Sequence, residues 1–89
     1  MLFMSTYTYE PANRDAVIKR RAEKGARVPP GSKIVGEWSA LTGGRVFRLV
    51  EAEDPRSMAG AAAAWADLGK IEVIPVMPTE ELMKLLSDK

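Results

Sequence analysis

The stretch GEWSALTGGRVFRLVE, residues 36–51, decides the fold of this 89-residue chain. Two runs rich in β-branched and aromatic residues flank the segment ALTGG (40–44), whose glycines are typical of a hairpin turn. A hairpin loop that pairs Ala40 with Arg45 places Glu37 directly opposite Arg48. The stretch therefore predicts a β-hairpin whose two strands are joined by an ion pair on one face.

The segments on both sides of this hairpin alternate between strand-like and helix-like patterns. Their order, β-α-β-β-α-β with a short final helix, is that of the ferredoxin-like α+β sandwich. Pro75 places the fourth strand at a sheet edge, because proline cannot donate a ladder hydrogen bond. We therefore predict a single domain over residues 1–89, with the first and third strands central. The predicted strands are 2–9, 33–39, 45–52 and 70–77, and the predicted helices are 10–25, 53–69 and 78–89.

The composition excludes several classes of site. The chain has no cysteine and no histidine, which removes disulfides, thiolate metal sites, histidine-ligated haem and Ser-His-Asp chemistry. Thirteen basic residues face 12 acidic ones, so the charge does not favour general nucleic-acid or membrane binding. No apolar run reaches the roughly 18 residues of a membrane span, and no signal peptide is recognisable. We expect a cytoplasmic protein without metal or cofactor.

Side chains alternate along a strand, which divides the strand residues between two faces of the sheet. We predict that the helices cover Met4, Thr6, Ile34, Gly36, Trp38, Phe47, Leu49, Ile71 and Val73. The opposite, open face then carries Phe3, Ser5, Tyr7, Val35, Glu37, Val46, Arg48, Val50, Glu72, Ile74 and Val76. An apolar patch of this size usually marks an interface. We therefore expect a two-fold homodimer whose sheets meet back to back and enclose a cavity.

The few polar side chains on this face are the candidate site. We predict that Tyr7, Glu37, Arg48 and Glu72 bind a small organic ligand, because a mostly apolar cavity with a few convergent polar groups is the usual small-molecule site. Glu37 is the candidate general base, and Arg48 is the candidate stabiliser of a developing anion. The alternative is that Glu37 and Arg48 form only a structural ion pair.

The RNA-recognition fold shares this element order and is a competing interpretation. It requires aromatic side chains on the open face to stack on bases, and only Phe3 and Phe47 are candidates. Placing Phe47 on the open face would place Arg48 in the helix-packed core, where a lone guanidinium is costly. Trp38 and Trp65 are assigned to the core rather than to ligand stacking. We therefore expect no nucleic-acid partner.

Three segments together carry a resemblance to a known family: MLFMSTYTYEPANRDAVIKRRAEKG (1–25), KIVGEWSALTGGRVFRLVEAEDP (33–55) and AAAWADLGKIEVIPVM (62–77). The chain resembles a family of short bacterial and archaeal domains of unknown function, which is similar to the dimeric α/β-barrel superfamily of ferredoxin-like folds. The GEW…GG hairpin and the AW-D segment are the most specific parts. The resemblance implies the fold and a dimer, and it transfers no catalytic residue.

Three functions are compatible with these patterns. The first is a small-molecule-binding homodimer with its pocket on the open sheet face, or otherwise between the sheet and the helices. The second is a cofactor-independent enzyme, like the monooxygenases, isomerases and cyclases of the wider superfamily, with a small aromatic or polyketide-like substrate. The third is a structural dimer or assembly module without a ligand. The sequence leaves open whether the chain catalyses a reaction.

Overall fold

The computed structural model describes residues 1–28 and 30–87. The predicted order of elements is confirmed, and a 3-10 turn at Pro11–Asn13 begins the first predicted helix. The last two positions of the predicted helix at 78–89 lie outside the described residues. The elements are β1 (Leu2–Thr8), α1 (Arg14–Lys24), β2 (Ser32–Ser39), β3 (Arg45–Ala52), α2 (Arg56–Trp65), β4 (Lys70–Val76) and α3 (Thr79–Ser87).

The four strands form one antiparallel sheet in the order β2-β3-β1-β4. The predicted placement of β1 and β3 at the centre is therefore confirmed. Pro75 lies in β4, on an edge strand, where a missing backbone N–H leaves no central ladder bond unmade. This topology and the element order together are those of the ferredoxin-like fold.

The hairpin between β2 and β3 has the predicted register. Glu37 pairs with Arg48, and the backbone N–H of Ala40 donates to the carbonyl oxygen of Arg45 at 3.0 Å. Gly43 and Gly44 both have a φ of 84°, a region that side chains with a β-carbon rarely adopt. The glycine pair therefore closes the turn that sets Glu37 opposite Arg48.

The assignment of the sheet faces was wrong for β1, for β3 and for residues 36–38 of β2, which share the faces of their β3 partners. Phe3, Tyr7 and Val50 are buried against the helices, so the residues predicted for the open face of β1 and β3 are on the helix side. Both faces of β1 and β3 carry apolar residues, and alternation alone cannot choose between two apolar faces. Ile71 and Val73 of β4 do face the helices, as predicted. The core consists of two clusters of buried residues, Phe3, Val50, Ala52 and Met58, and Tyr7, Val17 and Trp65.

Strand β2 contains a bulge that changes the phase of its side chains. Ile34 pairs with Val50 and Gly36 pairs with Leu49, which leaves Val35 without a partner. Residues on the two sides of a bulge are shifted by one position relative to regular alternation. Ile34 and Glu37 therefore share the helix side of the sheet although they are three residues apart in sequence.

The open face of the sheet carries large apolar side chains. Trp38 is 57% exposed there, so its predicted place in the core is wrong, whereas Trp65 is buried as predicted. The final helix α3 has no buried residue, and the molecule measures 50 × 29 × 17 Å along its principal axes. In the described part of the chain, no helix has the length and apolar character needed to cross a membrane.

Candidate functional site

A cavity of about 80 Å³ lies on the helix side of the sheet, between the strands and helices α1 and α2. The pocket expected on the open face is therefore not where this cavity lies. Most of its lining is apolar, and the polar side chains come from β1, β2, β3 and α1. The lining residues are Ser5, Tyr7, Val17, Arg21, Glu37, Ser39, Val46, Arg48, Trp65 and Ile71.

Three ionised side chains, Arg21, Glu37 and Arg48, form what we call the charged cluster at this cavity. Arg48 Nε donates to Glu37 Oε2 at 2.7 Å, and Arg48 Nη2 lies 2.5 Å from the same oxygen. Arg21 Nη2, from helix α1, donates to Glu37 Oε1 at 2.8 Å. The carboxylate of Glu37 therefore bridges the sheet and helix α1.

The charged cluster is partly shielded from water. The side chain of Arg48 is 14% exposed and that of Glu37 is 23% exposed, whereas Arg21 reaches the surface. Arg48 Nη1 lies 3.5 Å from the carbonyl oxygen of Ala26, at the outer limit of a hydrogen bond. Two cations and one anion give the charged cluster a net charge of +1, and Coulomb interactions are stronger in such a shielded place than in bulk water.

Tyr7 and Trp65 form the inner wall of the cavity. The hydroxyl of Tyr7 donates to the carbonyl oxygen of Trp65 at 2.9 Å, and the two rings meet edge to face with centroids 5.7 Å apart. Burial raises the pKa of Tyr7 above its ordinary value, because the phenolate loses solvation. The hydrogen bond ties the end of α2 to β1.

The aspartate of the AW-D segment, Asp67, pairs with Arg20, which in turn contacts Trp65. Arg20 Nη1 and Nη2 donate to the two carboxylate oxygens of Asp67 at 2.7 and 2.6 Å, and Arg20 Nη1 also donates to the carbonyl oxygen of Ala64 at 3.1 Å. The guanidinium carbon lies 5.5 Å from the centre of the Trp65 ring, within range of a cation–π contact. The same guanidinium lowers the pKa of Asp67 to about 2. Arg20 thereby holds Trp65 in place from the side of α1.

One buried donor at the cavity has no partner among the described residues. The indole Nε1 of the buried Trp65 has no acceptor within residues 1–28 and 30–87, and Ser5, which is 4% exposed, lines the same cavity. A buried polar group without a hydrogen bond carries the desolvation penalty without compensation. Such donors at a cavity are typical of a place where another molecule supplies the acceptor.

The structure brings together three of the four predicted ligand-binding residues. Tyr7, Glu37 and Arg48 line one cavity, although on the helix side rather than the open side of the sheet. Glu72 lies on the opposite face of β4, where it is exposed and its Oε1 is 3.8 Å from Lys70 Nζ. The predicted grouping of Glu72 with the others was wrong because Ile71 and Val73, its neighbours in β4, face the helices.

Sequence reasoning missed Arg21, Ser5 and Ser39 as lining residues and assigned Trp65 to packing alone. The one sequence signal for Ser5 is a small polar residue between Phe3 and Tyr7, in a strand that is otherwise apolar and aromatic on that side. Nothing in the sequence distinguishes Arg21 from the other basic residues of α1. Within the described ranges, no three acidic side chains are grouped as a metal ion requires.

Two known proteins or families are similar to this chain. A crystal structure described as that of a "putative antibiotic biosynthesis monooxygenase" from Deinococcus radiodurans aligns with 86% of this chain and 92% of its own, at 12% identity and a TM-score of 0.49. No curated protein matches the sequence. A family model for a domain of unknown function, DUF3303, matches residues 1–89. The resemblance drawn from the sequence is therefore confirmed, and the chain belongs to the DUF3303 family.

Proposed function

We propose that this domain is a homodimer in which each protomer binds a small organic molecule in the cavity between its sheet and its helices. The observation that carries this proposal is the convergence of polar groups from both layers on one mostly apolar cavity. An apolar cavity with a few precisely placed polar groups is the usual form of a small-molecule site. The unpartnered indole N–H of Trp65 adds to this support, because a ligand can supply its acceptor.

The contacts of Glu37 favour binding over a role as general base. A general base needs an oxygen that can approach the proton of the substrate. Both oxygens of Glu37 already accept hydrogen bonds, one from Arg21 and one from Arg48. Glu37 is thus placed to orient the two guanidinium groups toward a ligand rather than to remove a proton from it.

The exposed apolar face of the sheet supports the homodimer. Trp38 and Ile74 are each more than half exposed there, and apolar side chains such as Phe47 and Leu49 stand between them in the sheet. Contiguous apolar surface of this kind is unusual on a monomer. A two-fold axis that runs through the middle of the face would cover it with the same face of a second copy.

Native mass spectrometry of the freshly purified protein tests the ligand. We expect a complex heavier than the sequence mass, with the extra mass lost on mild denaturation. A chain of exact sequence mass that also takes up none of a library of small organic compounds would contradict the binding function. Replacing Arg48 by Met should remove the extra mass while the thermal unfolding remains cooperative.

Sedimentation velocity tests the homodimer. Trp38→Glu places a carboxylate in the centre of the open face and should give a monomer, because an unpaired charge in an apolar interface is costly. Leu41→Glu is the matched control, since Leu41 is fully exposed at the tip of the hairpin and outside that face. A wild-type protein that sediments as a monomer at micromolar concentration would overturn the dimer.

A further inference from the structure

We infer that the cavity selects a small organic carboxylate, whose acid group faces the charged cluster and whose apolar part lies against Val17, Val46 and Ile71. This inference rests on the proposed binding function and goes one step beyond it, to the chemical class of the ligand. It follows from the net charge of the cavity lining, from the hydrogen-bond donors left over there, and from the small size of the cavity.

The charged cluster carries a surplus positive charge. Arg21 and Arg48 contribute two positive charges and Glu37 contributes one negative charge, so the charged cluster retains one positive charge after its internal pairing. The positive charge lies at a partly shielded site, where a counter-ion is held more strongly than at the open surface. A cationic ligand would be repelled there, and a neutral ligand would leave the excess charge without a partner.

The guanidinium groups of Arg21 and Arg48 have hydrogen-bond donors that Glu37 does not use. A guanidinium has five N–H donors in a planar fork that matches a carboxylate. Glu37 engages Arg21 through Nη2 and Arg48 through Nε and Nη2. The remaining donors of Arg21, and the Nη1 group of Arg48 with its long contact to Ala26, are available to a second carboxylate.

The neutral lining completes the set of donors. The indole Nε1 of Trp65 has no acceptor among the described residues, and the buried Ser5 also lines the cavity. Serine and indole groups donate to an anion without adding charge. A ligand oxygen that bears negative charge is the acceptor that matches such donors best.

Size and lining limit the ligand to a small molecule with one acid group. The cavity of about 80 Å³ has mostly apolar walls, formed by Val17, Val46 and Ile71 together with the aromatic rings. One surplus positive charge balances a monocarboxylate, whereas a phosphate ester would bring more negative charge than the charged cluster can neutralise. A short carboxylic acid with an apolar body satisfies both limits.

The test uses the full chain and compares pairs of probes of equal shape. Isobutyrate and benzoate are titrated against isobutyramide and benzamide, and binding is followed by the indole N–H resonances in ¹H–¹⁵N NMR spectra. Trp65 reports on the cavity, and Trp38 on the open face serves as an internal reference. We expect the carboxylates to shift the Trp65 resonance. The amides should bind at least about tenfold more weakly, because they lose one charge-assisted contact.

Variants locate the carboxylate. Arg48→Met and Arg21→Met should each weaken carboxylate binding by about tenfold. The second variant guards against misfolding, because Arg21 is an exposed residue of α1. Arg56→Met is the matched control, since Arg56 is an exposed arginine that pairs with Asp54 outside the cavity. It should leave the affinity unchanged.

The outcomes separate this inference from the proposed function. Amides that bind as tightly as carboxylates would overturn the carboxylate class while leaving small-molecule binding intact. Chloride or sulfate that shifts Trp65 as strongly as the organic probes would also overturn it, in favour of an inorganic anion. If no carboxylate binds, the inference fails, and the native mass spectrum then decides separately whether the binding function fails with it.

Discussion

The indole of Trp38 lies across Gly36 on the open face of the sheet, and a β-carbon placed on Gly36 would come 2.5 Å from Trp38 Cη2. The two residues are separated by Glu37, whose side chain points to the opposite face. The GEW segment therefore has a physical explanation. Glycine leaves room for the flat ring, and the ring adds a large apolar surface where a second copy is proposed to dock.

Replacing Gly36 by Ala should displace this ring. The new methyl group occupies the place of the ring, and the exposed Trp38 side chain can swing away, so we expect a loss of stability of only about 1 kcal/mol. The indole N–H resonance of Trp38 should shift while that of Trp65 stays in place. The dimer should weaken in sedimentation velocity. An unchanged Trp38 resonance would contradict this placement of the ring.

Replacing Glu37 by Gln should cost more than an ordinary surface substitution. The change leaves Arg21 and the partly buried Arg48 without their carboxylate, and an uncompensated shielded charge destabilises the fold by about 2 kcal/mol at this partial exposure. The double variant Glu37→Gln/Arg48→Met should recover part of the loss, because the orphaned charge is removed. Urea unfolding of the four proteins in this cycle measures the coupling, and strictly additive effects would argue against it.

The pair of Arg20 and Asp67 should make stability depend on pH in the acid range. The pKa of Asp67 is lowered from 3.8 to about 2 in the folded protein. A carboxylate whose folded pKa is depressed stabilises the fold above its unfolded pKa, and this contribution disappears as the pH falls through the folded pKa. Stability should therefore decline between about pH 4 and pH 2. Asp67→Asn should flatten this decline in acid-unfolding curves, and an unchanged decline would contradict the role of the pair.

Tyr7 should make stability depend on pH in the alkaline range. Burial raises the pKa of Tyr7, so its contribution is complete below the unfolded pKa, near 10, and is lost as the pH rises through the folded value. Tyr7→Phe should lose about 1 kcal/mol at neutral pH, because the carbonyl oxygen of Trp65 loses its donor. The variant should also lose less stability than the wild type above pH 10. Alkaline unfolding curves measure this, and an alkaline decline in Tyr7→Phe identical to that of the wild type would refute the role of Tyr7.

The sequence was sufficient for the order of elements, the hairpin register and the pairing of Glu37 with Arg48, because these depend on local turn chemistry and on alternation within a strand. It was insufficient for the choice of face. Arg48 was predicted on the open face because a lone guanidinium is costly on the helix side. In the structure Arg48 is not alone, because Glu37 pairs with it and Arg21 joins the same carboxylate. Arg21 comes from a helix whose position relative to β2 is not encoded by any local sequence pattern.

Cross-strand pairing adds a constraint on the choice of face. Residues that pair across neighbouring strands share a face, and Met4 pairs with Ile74. Met4 and Ile74 were predicted on opposite faces, which no register of this sheet allows once they are partners. The buried serine and the unpartnered indole were beyond prediction, because they depend on where α1 and α2 leave a gap over the sheet.

The bulge at Val35 also bears on how related chains can differ in length. Val35 is an extra residue without a partner in β3, because Ile34 and Gly36 pair with consecutive residues of that strand. A homologue that lacks this one residue keeps every other partner of β2, including the pairing of Glu37 with Arg48. A residue lost from 40–44, by contrast, would change the turn that sets this pairing. The ladder of β2 therefore depends on the length of the hairpin loop and not on the presence of Val35.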